Sequence, residues 1–117
     1  MEMKLRILCE AGVIDDDTRI DVLTAWELVS DKLGIPRELE QLNMAMTHLA
    51  NTVSRIKQGI PIENGLDPEI IEEIKQDDCY PDIKELNDTI CQIVGIPEVP
   101  AEENSFLLSN LYSLYLL

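Results

Sequence analysis

The pattern that most constrains this chain is an apolar stripe running into the segment Gln41 to Ile62. Leu39, Leu42, Met46, Leu49, Val53 and Ile56 recur at steps of three, four, three, four and three. Only a helix gathers residues at that spacing onto one face, so the stripe predicts a long helix anchored in a core. Gly59 supplies a left-handed end to it, and Pro61 keeps the helix from restarting at once. At 100° per residue His48, the one histidine of the chain, lies roughly 130° from the middle of the stripe. It is therefore expected on the polar flank, at least partly exposed. Met44, Asn51 and Arg55 fall on the same side, Arg55 two turns further along and so about 10 Å away.

Helical periods repeat along the rest of the chain, each closed by glycine or proline. Residues 3 to 11 read as a short helix ended by Gly12. The alternation of Met3, Leu5 and Ile7 also fits a strand, but a strand here would lack a partner. Asp15, Asp16, Asp17 and Thr18 offer an N-cap and first-turn acids to a helix reaching about Leu33, stopped by Gly34 and Pro36. Its Val22, Ala25, Trp26, Val29 and Leu33 are spaced for burial. Ile62 to Asp67 reads as a turn, and Asp67-Pro68 as an N-cap followed by proline at the first helical position. Ile70, Ile71 and Ile74 mark a short helix that Asp77 and Asp78 discourage from continuing. Pro81 opens a helix carrying Ile83, Leu86, Ile90, Ile93 and Val94 as far as Gly95 and Pro97. The last helix begins at Pro100, Glu102 and Glu103, and its Phe106, Leu107, Leu108, Leu111, Leu114 and Tyr115 make more than one face apolar. Such a helix is either central to a bundle or half of a subunit contact. The fold class is all-α: one domain over residues 1–117, a compact bundle of five helices with a possible short extra helix at the N-terminus.

Composition narrows the partners. Across 117 residues, 23 acidic side chains face 9 basic ones, a formal charge of -14. Phosphate backbones and acidic membranes are bound mainly through Lys and Arg, so direct nucleic-acid binding and membrane binding are disfavoured. A protein with a basic docking face fits this charge better. Cys9, Cys79 and Cys91 form no CxxC pair and have no histidine close by, which argues against a disulfide framework or a zinc site and for thiols in a reducing compartment. The opening MEMKLRILCE has no signal-peptide pattern, and no apolar run reaches 18 residues, so a cytoplasmic location is expected.

Catalytic chemistry has little to stand on. The five glycines are scattered and form no phosphate-binding loop. Acid pairs such as Glu72 with Glu73 and Asp77 with Asp78 are what a solvated helix face looks like in so acidic a chain. One histidine and three cysteines with scattered serines do not assemble into nucleophile, base and orienting acid. The chain is therefore read as a non-enzyme with no metal and no cofactor. What remains is an exposed imidazole, the side chain whose neutral form is populated near pH 7 and can attack a phosphoryl donor.

The run Thr47-His48-Leu49-Ala50-Asn51-Thr52-Val53-Ser54-Arg55-Ile56-Lys57-Gln58-Gly59, with Ile62-Glu63-Asn64 after it, resembles the first half of a PTS regulation domain. That family places a histidine on a helix, an arginine seven residues later and then a Lys-x-Gly turn. The likeness extends through Tyr80-Pro81 and Gly95-Ile96-Pro97 to Glu102, Glu103 and Phe106, and so covers about residues 14–115. It implies a helical module, often homodimeric, that serves bacterial transcription regulation and carries phosphohistidine. Donors in that family are a phosphocarrier protein or a sugar-permease component of the sugar phosphotransferase system. By position His48 matches the phosphoryl acceptor and Arg55 the characteristic arginine, with Asn51 as a supporting neighbour. The second histidine of the family falls at Asn110, which makes that a degenerate second site. Family regulators also join this module to an RNA- or DNA-binding domain, which these 117 residues do not contain. The resemblance thus implies a stand-alone member acting through protein contacts, with a constitutive helical adaptor as the alternative.

Overall fold

The computed structural model describes residues 1–117 and turns each periodic segment into a helix: α1 (Glu2–Glu10), α2 (Asp16–Leu33), α3 (Glu40–Lys57), α4 (Pro68–Gln76), α5 (Tyr80–Ile93) and α6 (Ala101–Tyr115). There is no strand. The ambiguous N-terminal segment is helical, and its end is closed by Val13 and Ile14 N–H groups donating to Leu8 O.

Local chemistry sets the helix ends. Asp15 Oδ1 accepts from Thr18 N at 2.7 Å, satisfying a donor left orphaned at the start of α2. Gly34 ends α2 in the left-handed region at φ 64°, and its N–H reaches Ser30 O. A residue with a Cβ is strained there, which is why the helix stops at glycine. Asp67 caps α4 through Glu69 N, with Pro68 at the first helical position. Asp77 does more than end α4. Its carboxylate accepts from Cys79 N at 3.0 Å and from Tyr112 Oη at 2.7 Å, tying the α4–α5 corner to α6.

A single cluster of 22 buried hydrophobic residues forms the core. α3 contributes Leu42, Ala45, Met46, Leu49, Ala50 and Val53 to it. The expected stripe is therefore buried with two differences at its ends: Leu39 and Ile56 are only half-buried and pack against the cluster. Both lie at the ends of the helix, where fewer neighbours cover it. α3 packs against both α2 and α6, and α6 also packs on α4 and α5. Leu107, Leu108, Leu111 and Leu114 of α6 are buried among these neighbours, while Phe106 and Tyr115 of its apolar set stay exposed. Trp26 is half-buried, with Nε1 donating to Arg37 O at 2.9 Å and the Arg37 guanidinium over its ring.

The connection between α3 and α4 is not a free turn. It lies along the start of α6, held by Ile62 N donating to Glu103 Oε1 at 2.9 Å and Leu66 N donating to Ser105 Oγ at 3.0 Å. Gly65 belongs to this strap because a Cβ there would stand 2.9 Å from Ser105 Oγ and 3.0 Å from Glu102 Cα. No helix is long and apolar enough to cross a membrane.

Candidate functional site

His48 is exposed on α3, while Leu49 and Ala50 beside it are buried. The imidazole is thus mounted on a helix that cannot shift without disturbing the core. Met44, one turn earlier, is half exposed, and Asn51, one turn later, is half-buried. Arg55 completes this flank.

Arg55 is not free to serve a ligand. Its Nε donates to Glu103 Oε1 at 2.9 Å and its Nη2 to Glu103 Oε2 at 3.0 Å, a two-pronged pair within the chain. Nη2 also reaches Thr52 Oγ1 at 3.2 Å. Glu103 is fully buried, whereas Arg55 keeps 35% of its side chain exposed. Burial pushes the Glu103 carboxyl up, but the hydrogen bonds from Arg55 and Ile62 N together with the Arg55 charge outweigh it and hold the group below its usual range. The same hydrogen bonding raises Arg55. Its acid lies in the same chain, 48 residues away: a buried carboxylate on α6 needs a cation, and of the two in the last turn of α3 Lys57 pairs with Asp15 while Arg55 faces Glu103.

That pair also sets the register of two helices. Arg55 and Thr52 meet Glu103 at the start of α6. Ala45, Met46 and Leu49 share a cleft with Leu107, Asn110 and Leu111 further along α6. α3 and α6 therefore run antiparallel. His48 is seven residues before Arg55, and Asn110 is seven after Glu103. Two turns from the ion pair on each helix, the histidine turn and position 110 stand across from one another. Asn110 is half-buried in the cleft wall.

Glu103 was legible only as a first-turn acid of the last helix. A signal to the contrary exists in the sequence: Glu103 lies four residues before Leu107, itself four before Leu111, on the buried stripe of α6. A carboxylate on a core stripe must have a cation beside it. Elsewhere, Cys79 and Cys91 are buried and Cys9 is half-buried. Burial pushes the Cys79 and Cys91 thiols up to about 11, which leaves them poor nucleophiles. No three His, Cys, Asp or Glu side chains converge to hold a metal.

Fold and site together define an all-helical module that presents its one histidine, exposed, from a fixed helix face. The chain is 34% identical over 116 residues to "Uncharacterized protein YhfY" of Escherichia coli (strain K12), an alignment covering 99% of this chain and 95% of that one. It belongs to the YhfY family. No family model matches the chain, and no solved structure does.

Proposed function

We propose that this chain is a stand-alone regulatory module of the PTS-regulation type, in which His48 accepts a phosphoryl group and the signal passes on through protein contacts. The donor is a phosphocarrier protein or a sugar-permease component of the sugar phosphotransferase system. The observation that carries the reading is the exposure of His48 on the well-anchored α3. A donor must bring its phosphorus in line with an imidazole lone pair, which requires an open and fixed nucleophile. In the step, a bond forms between an imidazole nitrogen of His48 and phosphorus as the donor's bond to phosphorus breaks. The donor group leaves with the electron pair and takes up the proton that His48 gives up.

The product would add about two negative charges to a surface that is already acidic. In a homodimer, which the resemblance favours, that charge would loosen a contact lying near His48. Sedimentation tests the dimer, whose self-repulsion should be relieved by salt. A single monomeric species at high concentration and high salt would remove it. Phosphotransfer with purified general components of the phosphotransferase system tests the acceptor.

The capture of Arg55 by Glu103 favours a second reading, a constitutive helical adaptor: Arg55 cannot swing to a phosphate without exposing a buried carboxylate, and the resemblance puts Asn110 where the family has its second histidine. Absence of any labelled protein under conditions that label a working module would select this reading.

A further inference from the structure

Away from His48, a groove of about 470 Å³ opens between α2, α5 and the end of α6. Leu28 and Leu33 form the α2 wall, Ile83 and Leu86 the α5 side, and Leu111 and Tyr115 close the α6 end. Ile83, Leu86 and Leu111 belong to the buried core, so the floor is fixed, while Tyr115 at the α6 end is exposed and available to an incoming side chain. Charge is distributed unevenly along its rims. Lys32 lies on the α2 rim, and Asp82 and Glu85 lie on the α5 rim. None of the three is in a salt bridge; among the bases Lys4, Arg6 and Lys75 are likewise unpaired, but none of those lines the groove.

We infer that this groove receives an amphipathic helix from a protein partner, one whose apolar ridge is flanked by two basic residues one turn apart. The spacing follows from α5, where Asp82 and Glu85 are three residues apart and so project about one turn from each other. A ridge of two leucine-sized residues at i and i+4 fits a trough bounded by helices, the geometry of helix-in-groove recognition. The opposite flank of the incoming helix meets Lys32 and suits an acid.

Charge decides among occupants. A second copy of this chain is a poorer candidate: its one exposed apolar pair at i and i+4, Met3 and Ile7 of α1, has the unpaired Lys4 and Arg6 two residues apart on opposite flanks, so it brings at most one base to Asp82 and Glu85. A cationic partner instead gains from the whole field of the chain as it approaches and from the two rim carboxylates once seated.

The test uses the full chain and a designed helical peptide of about 14 residues, four turns long. The peptide carries two leucines a turn apart, with lysines on one flank and glutamates on the other. Saturable binding by calorimetry is expected, with amide shifts mapping to α2, α5 and the end of α6. Asp82→Lys/Glu85→Lys should weaken binding by about tenfold or more. Glu63→Lys/Glu98→Lys changes the net charge equally at exposed sites outside the groove and should weaken it less than about threefold. A peptide with its lysines changed to glutamates should recover binding to the first variant and not to the unaltered chain. If the lysine substitutions disturb α5, Asp82→Asn/Glu85→Gln carries the same comparison with smaller steps. Three results would overturn the inference: equal weakening by both pairs of substitutions, which leaves only the overall field; no saturable binding to the unaltered chain; or groove shifts that grow with protein concentration alone, which would make a second copy the occupant.

Discussion

Arg55 on α3 and Glu103 on α6 form a two-pronged ion pair, both contacts within 3.0 Å, that fixes the register of the helix carrying His48. The carboxylate has no exposure to water. Removing Arg55 therefore leaves a buried charge with only Ile62 N and the Thr52 hydroxyl to stabilise it. Arg55→Ala should cost about 2–4 kcal/mol, scaled down from the usual range for a broken buried pair because Arg55 is one-third exposed. Arg55→Lys keeps the charge but loses the fork and should fall between the two. Denaturant midpoints at neutral pH measure all three chains.

Acid should weaken the fold through the same pair. Glu103 titrates near its ordinary 4.5 when unfolded and lower when folded. The folded state thus binds that proton less readily, and the group contributes stability that is complete above the ordinary value and lost as pH falls through the folded one. Asp77 acts in the same direction, held low by the Cys79 backbone N–H and by Tyr112. Stability measured from pH 7 down to pH 3 should decline for the unaltered chain. Glu103→Gln should begin less stable and decline less steeply; parallel curves would assign the acid sensitivity to other groups.

Core packing under His48 gives a third expectation. Leu49 is 2% exposed, and truncating a buried leucine costs about 2–5 kcal/mol. Leu49→Ala should fall in that range. Asn51→Ala, on the half-buried flank one turn from His48, should stay within about 1 kcal/mol. Comparable losses at the two positions would contradict the helix orientation.

The same contrast explains what was legible in the sequence. Leu42, Met46, Leu49 and Val53 could be assigned to the core, and His48 to the surface, because helical period alone decides which residues share a face. Helix ends were legible where capping chemistry is local, as at Asp15, Gly34 and Asp67-Pro68. Long-range pairings were not. Arg55 meets an acid 48 positions away, and Tyr112 meets Asp77 across 35; no local pattern carries such a match. The strap from Ile62 to Leu66 was hidden for the same reason, since its hydrogen-bond acceptors lie on α6.

His48 is the one residue expected to take label from a phosphoryl donor. Incubation with the phosphocarrier and its upstream components should yield an adduct that is labile in acid and stable in base, the behaviour of a phosphorus–nitrogen bond. His48→Ala should abolish it, since the chain has no other histidine. Asn110→Ala should leave labelling in place, because a carboxamide offers no nucleophilic nitrogen, and Asn110→His would be labelled at a second position if the register of α3 and α6 places an acceptor there. Arg55→Lys separates support from chemistry. If Arg55 acts only by holding Glu103, labelling should persist wherever the variant remains folded. Loss of label from a folded Arg55→Lys chain would instead mean that the guanidinium leaves Glu103 to meet the phosphoryl group.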